Sequence, residues 1–269
     1  IRAVHAIEEL EGRVAQHPAG RYPVQNATAS FHLGALLVDA GRADEAAAAL
    51  ARSAELFGRA GLREERAKAL NALGAALRVA AREDEAAAAF REAASAFAGL
   101  GLTPEEGAAL HNLGLVSREP GHFREARTRF AAAGEVRHEA AALRELGSVL
   151  LERGELAEAE AALTEALELA ERAGDLAGLG AAANALGLAQ LALGRLDEAA
   201  ASFRSSAGAH GRGVRPADHA MAKANLALAW ERLGDVPRAR LAARQALAVS
   251  GAPEPVRAQA QALLARLPD

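Results

Sequence analysis

The sequence predicts an all-α array of stacked helix pairs, and three observations predict it. A Leu-Gly pair recurs at Leu33-Gly34, Leu73-Gly74, Leu113-Gly114, Leu146-Gly147 and Leu186-Gly187. A sixth copy reads Leu226-Ala227, and the spacing is constant except for one shorter interval, between Leu113 and Leu146. At a fixed offset after the small residue of each pair stands an alanine: Ala46, Ala86, Ala126, Ala159, Ala199 and Ala239. At a shorter fixed offset stands another small residue: Gly41, Ala81, Gly121, Gly154, Gly194 and Gly234. The composition is dominated by Ala, Leu, Glu and Arg, all good helix formers, while Val, Ile, Thr and aromatics are scarce. A period of this kind marks a repeat array, in which each unit buries its apolar face only against its neighbours.

Numbering each unit so that the Leu-Gly pair takes positions 7 and 8 divides the chain into 27–66, 67–106, 107–139, 140–179, 180–219 and 220–253. Positions 4, 7, 8 and 11 recur at i, i+3, i+4, i+7 and form one helical stripe, as in Leu143, Leu146, Gly147 and Leu150. Positions 20, 24 and 27 form a second, as in Ala159, Leu163 and Ala166. The small residue at position 15 ends the first helix, where glycine enters the left-handed conformation at little cost. Gly at 8 and Ala at 20 let two backbones approach, and the large residues at 7 and 24 fill the space beside them.

Taken in order, residues 1–26 are expected to be an N-terminal helix and a linker. Ala6 and Leu10 fall where the second helix of a preceding repeat places its small and large apolar residues, so a longer parent protein is expected. Thr103-Pro104-Glu105-Glu106 offers an N-cap at Thr103, a proline at the first helical position and a glutamate at the third. Pro216 and Pro255 are expected to open helices. The third unit lacks seven residues, about two helical turns, and shortened helices are expected around Gly134–His138. Ser117, Gln190 and Ala243 depart from the pattern at positions 11 and 24 and are expected to weaken packing locally. Residues 254–269 lack the repeat signature. They are expected to form a capping helix that covers the last unit around Trp230, Leu241 and Leu247.

Composition limits the function. The net charge is −4 and the pI about 6.1, which leaves no basic footprint for nucleic acid or an anionic membrane surface. There is no cysteine, which removes disulfides and thiolate metal sites and suits the cytoplasm. The uncharged stretch from Leu176 to Gly194 is long enough to suggest a membrane span. It falls in register with the repeat and contains four glycines, so a buried helix is expected there instead. The eight histidines show no metal spacing. His122 is expected to be exposed after its Pro-Gly turn, and His5, His17, His138, His210 and His219 at the solvated surface. No phosphate loop or nucleophile elbow appears, and no enzyme or cofactor is expected.

With Leu at position 7 and Ala at position 20 in all six units, and Leu, Phe, Phe, Leu, Phe and Ala at position 24, the chain resembles the tetratricopeptide repeat family over residues 27–253. The length of its longer units resembles the versions found in spindle-orientation adaptors and in bacterial signalling and transcription regulators. The resemblance implies a right-handed α-solenoid of about six helix-turn-helix repeats. Its concave groove would be lined by the first helix of each pair, chiefly at positions 2, 5, 6, 9, 12 and 13. Carried over by position, the groove candidates are Lys68, Asn71, Arg78, His111, Asn112, Arg118, Arg144, Asn184 and Asn225.

Asparagine is a poor helix former, and two readings of the four stand side by side: recognition of a peptide backbone by their amides, or ties from a helix to a neighbouring backbone carbonyl. The arginines suit a carboxylate or an acidic peptide, unless Glu119, Glu145 and Glu152 neutralise them. Position 2 reads Thr28, Lys68, Ala108, Ala141, Ala181 and Met221, which is not the carboxylate clamp of chaperone-binding members. The function implied is a scaffold that binds a protein or peptide in the groove, as the interaction region of a larger bacterial regulator. The alternative is a sensor domain of such a regulator that binds a small ligand.

Overall fold

The structure, a computed structural model, describes residues 2–212 and 215–268. Ile1, Gly213, Val214 and Asp269, included above in the N-terminal helix, the fifth unit and the cap, lie outside them. The described residues form fourteen helices and no strand, and the chain divides into two compact units, 1–134 and 135–269.

The first unit contains α1 (Arg2–Gln16), α2 (Pro23–Asp39), α3 (Ala43–Arg59), α4 (Arg63–Val79), α5 (Glu83–Leu100), α6 (Thr103–Ser117) and α7 (Pro120–Ala133). Each helix packs on the next in sequence, and α2, α4 and α6 also pack on one another in turn. The second contains α8 (Val136–Glu152), α9 (Leu156–Arg172), α10 (Leu176–Ala192), α11 (Leu196–Arg212), α12 (Pro216–Arg232), α13 (Val236–Ala248) and α14 (Glu254–Arg266). Here too each helix packs on the next, while α8, α10, α12 and α14 pack in sequence along one side. Within each unit the connections have only two to six residues, which reverses the chain, so successive helices there run antiparallel. The uncharged stretch is α10, packed between its neighbours. No helix among the described residues is long and apolar enough to cross a membrane.

Position 8 is small because position 24 is large. A Cβ added to Gly34 would stand 2.5 Å from Leu50 Cγ, at Gly147 2.4 Å from Leu163 Cγ, and at Gly187 2.6 Å from the ring of Phe203. In the last repeat both positions are alanine: Ala227 and Ala243 are each fully buried in one apolar cluster. Ala243 is therefore not a weak point. A methyl group on the first helix is matched by a smaller side chain on the second. Ser117 and Gln190 also have local partners. Ser117 Oγ lies 2.9 Å from His122 Nδ1, and Gln190 Oε1 accepts from Ser202 Oγ at 2.7 Å.

The shortening of the third unit lies elsewhere than the sequence suggests. Gly134 ends α7 as an ordinary left-handed cap, and α8 is as long as its counterparts. The missing residues come mainly from the end of α6 and the start of α7, which have 15 and 14 residues where α4 and α5 have 17 and 18. Helix α6 stops at Ser117, Arg118 takes the left-handed conformation (φ 54°), and α7 begins at Pro120. Gly121, expected to be the turn glycine, is inside α7. Gly114 packs against Phe123 (2.8 Å from an added Cβ), not against Phe130, and Phe130 instead faces Gly107. Phe123 lies about two helical turns before Phe130, so two turns have been removed and the same face still points inward. His122, carried into α7, is half-buried.

Ala81 keeps its place in the turn despite its Cβ. Its φ is 58°, and Arg82 N donates to Leu77 O at 2.9 Å, as Arg42 N does to Leu37 O after Gly41. An alanine in the left-handed region is strained where glycine is not. Ala81→Gly is expected to raise the stability of the chain by about 1 kcal/mol, read as a higher midpoint in urea with an unchanged slope.

Helix starts differ in detail from the expected caps. Thr103 is the first residue of α6; Leu102 precedes it as the cap residue and makes no side-chain bond. The capping side chains are Asp175, which accepts from Ala177 N and Gly178 N at 3.1 and 3.0 Å, and Asp235, which accepts from Arg238 N. Pro216 opens α12 and Pro255 lies at the start of α14, as expected. Helix α14 buries Val256, Ala260 and Leu263, and Leu267 just after it is buried too, in a cluster with α12 and α13 that Trp230 and Leu247 also join. Leu241 is not beneath it and remains 58% exposed.

Candidate functional site

In residues 135–269 the first helices of successive pairs, α8, α10 and α12, present their shared face to a cavity of about 550 Å³. Three arginines, Arg137, Arg144 and Arg215, and two aspartates, Asp175 and Asp218, line it. Small residues such as Ala141, Ala181 and Gly178 form its floor, and the part-exposed Leu188 and Met221 form its apolar rim. The aspartates are already engaged. Asp175 caps α10, and Asp218 accepts from Arg215 Nε at 2.7 Å. Arg144 pairs with Glu145 at 2.8 Å, and Arg137 reaches only the carbonyl of Ala173, at 3.5 Å. This volume lies in the range of small-ligand and peptide side-chain pockets.

The cavity wall also contains His210, at the C-terminal end of α11. The sequence predicts a solvated position for it; instead it is 4% exposed, and its Nδ1 has no hydrogen-bond partner. The ring lies against the backbone of Gly180, where an added Cβ would stand 2.5 Å from its Cε1. The Gly180 carbonyl accepts from Ser206 Oγ at 2.8 Å. At the same position the first two units carry Phe57 and Phe97, both buried. That row of the repeat holds the signal that could have found His210. Burial pushes its imidazole below the ordinary histidine range. Asp218 opposes this, Arg215 adds to it, a hydrogen bond with the Gly180 backbone opposes it more weakly, and His219 adds the least.

The unfolded chain therefore binds this proton first as pH falls. The stability is whole above the unfolded value of about 6.5 and declines as pH falls below it. Calorimetric melting is expected to show a midpoint that drops from about pH 7 to about pH 5, with a smaller drop in His210→Phe. An equal drop in both would remove His210 as the cause.

The asparagines pair with one another. Asn112 Nδ2 donates to Asn71 Oδ1 at 3.3 Å in the first unit, and Asn225 Nδ2 donates to Asn184 Oδ1 at 2.9 Å in the second. Gln259 Nε2 reaches Asn225 Oδ1 at 3.4 Å. Each pair bridges consecutive first helices, so a tie between helices is the role these amides already fill. The tie goes to a side-chain amide instead of a backbone carbonyl.

The candidates do not form one set. Lys68, Asn71, Arg78, His111, Asn112 and Arg118 belong to residues 1–134, and Arg144, Asn184 and Asn225 to residues 135–269. Lys68 is exposed and bound to Glu64 at 2.6 Å, which together with nearby acids raises its pKa. Arg78 is exposed. His111 packs edge-on against Phe123, with ring centroids 5.6 Å apart. Arg118 is the cap of α6, not a residue on its helical face. Asn225 is buried, and only Arg144 and Asn184 line the cavity. Arg137, Asp175, His210 and Arg215 are not among the sequence candidates. Among the described residues no group of three or more His, Asp or Glu side chains is placed to hold a metal ion.

Stacked antiparallel helix pairs with a groove along their first helices define a helical-repeat protein. Models of the tetratricopeptide repeat match residues 138–208 and 184–255. Over these residues the chain carries tetratricopeptide repeats. No curated protein sequence matches it. Among solved structures it is similar to the apo form of RapI (TM-score 0.76, 10% identity, covering 99% of this chain and 82% of that one). It is also similar to a signal transduction ATPase with a tetratricopeptide repeat sensor from Pyrococcus horikoshii (0.74, 13%, 98% and 44%). A third similarity is to the APC/C hetero-tetramer Cut9–Hcn1 (0.60, 16%, 98% and 46%). At these identities the likeness is one of fold, and this chain spans less than half the length of the last two.

Proposed function

We propose that this protein is a non-enzymatic interaction scaffold whose groove along α8, α10 and α12 holds a segment of a protein partner. The observation that carries the reading is the cavity itself. It runs across three first helices, its floor is alanine and glycine, and its spare polar groups are arginines and an asparagine. A floor without large side chains admits a peptide backbone, and the polar groups fix its orientation. The proposed architecture is the six units 27–66, 67–106, 107–139, 140–179, 180–219 and 220–253, with residues 1–26 before them and a cap at 254–269. The proposed setting is the cytoplasm, within a larger bacterial regulator.

A displayed peptide library selected on the immobilised chain tests the reading. Enriched peptides are expected to lose about tenfold or more in affinity when Arg144 and Asn184 are both replaced by alanine. Peptides that bind the double variant as well as the parent would overturn it.

The second reading, a sensor for a small ligand, is favoured by His210, a buried ionisable ring in the cavity wall where other repeats carry phenylalanine. It also agrees with the description of the Pyrococcus horikoshii protein as having a tetratricopeptide repeat sensor.

A further inference from the structure

We propose that the outward faces of α9, α11 and α13 form a two-fold interface between two copies of this chain, in which α13 of each copy lies on α9 of the other. The surface belongs to the second helices of residues 135–269, away from the groove of the first helices. The inference is independent of the groove reading.

The sixth repeat reverses a charge that the other five share. At position 19 those units carry glutamate, as in Glu158 and Glu198, and the sixth carries Arg238. In three other units the ion pair at the start of the second helix runs Arg42–Glu45, Arg82–Glu85 and Arg195–Glu198. Here it runs Asp235–Arg238, at 3.4 Å. One turn on, at position 22, the other units carry alanine or threonine, and the sixth carries Leu241, 58% exposed. Arg244 follows on the same face, also exposed. Arg238 is held in place without being covered. Its guanidinium lies 4.8 Å from the ring centroid of Trp230, while its side chain remains 63% exposed.

The complement to this face stands on α9. That helix has five glutamates and one arginine, where α13 has three arginines and no acid. Ala161 is the counterpart of Leu241, and Glu158 and Glu165 lie one turn to either side of it. When the two helices run antiparallel, Leu241 meets Ala161, Arg244 meets Glu158 and Arg238 meets Glu165. Large then faces small, and base faces acid. Helix α11 lies one repeat from each, so a two-fold axis through it forms both contacts at once and the interface closes with two copies. At that axis α11 turns Ala201, Ser205 and Gly208 outward. A Cβ on Gly208 would meet nothing within 4 Å, so packing inside the chain does not require this mid-helix glycine. The close approach of a second α11 would.

Charge-swap variants of the full chain test the pairing. One carries Arg238→Glu and Arg244→Glu, the other Glu158→Arg and Glu165→Arg. Sedimentation of the parent chain is expected to show a dimer at about 50 μM, with a dissociation constant at least about tenfold weaker at high salt. Each variant alone is expected to be a monomer with the helical circular dichroism of the parent. Their equimolar mixture is expected to recover the dimer, because acid then faces base in both contacts. Leu241→Ser is expected to weaken the parent dimer about tenfold without changing any charge. A parent chain that is monomeric at that concentration overturns the proposal and assigns the basic face of α13 to a different acidic partner. A dimer that survives both charge swaps, or a mixture that stays monomeric, also overturns it.

Discussion

Leu163→Ala is expected to cost about 2–5 kcal/mol, and Gly147→Ala about 1–3 kcal/mol, yet the two together less than their sum. Leu163 is fully buried, and its Cγ lies 2.4 Å from where a Cβ on Gly147 would stand. The leucine cannot withdraw from a filled interior, so the added methyl displaces a helix. Removing the leucine leaves a cavity that the methyl partly fills. The last repeat already carries this double replacement as Ala227 and Ala243, both fully buried. Denaturant unfolding of the two single variants and the double variant forms the cycle. A coupling of at least about 1 kcal/mol in favour of the double variant is expected. Additive costs would mean that positions 8 and 24 do not compete for one space.

Removing residues 254–269 is the second large effect. Val256 (7% exposed), Leu263 (1%) and Leu267 (9%) bury against α12 and α13, and burial of each such side chain is worth about 1.5–3 kcal/mol. The Glu231 carboxylate, which its hydrogen bond from Arg266 holds below the usual range, would lose that partner. Because contacts in a repeat array are between neighbours, loosening is expected to begin at α12 and α13 and leave α8 to α10 protected. Hydrogen exchange reads the location, and light scattering reads the self-association expected from the exposed apolar face. Uniform exchange across α8 to α13, or a truncated chain as stable as the parent, would reject the cap.

Much of the fold is legible because the repeat writes its packing into a period. Leu-Gly at positions 7 and 8 against Leu or Phe at 24 names both sides of each helix contact. Six copies in register leave few alternatives. The candidate site is far less legible. Of nine groove candidates, only Arg144 and Asn184 line the cavity. A position on a helix face says where a side chain starts, not which neighbour it meets. The asparagines meet one another, Lys68 meets Glu64, and Arg118 ends a helix shorter than the repeat predicts. His210 reads as a surface residue because a lone histidine near a helix end usually is one. Its burial depends on the packing of α11 against Gly180 of α10.

The sequence by itself determined the all-α class, the helix pairs and the complementarity of small and large residues between them, because adjacent elements are joined by short turns and their contacts recur. Tertiary structure alone decided where the seven missing residues are absorbed. A loss of two turns preserves the inward face whether it falls before or after Phe123, and only the closeness of Gly114 to that ring shows which. It alone also decided which polar groups remain without partners around the cavity. Asp175, Asp218 and Arg144 find partners within three residues of themselves, but the bonds of Asn184 with Asn225 and of Arg137 with Ala173 join segments far apart in sequence and depend on distances that no periodicity encodes.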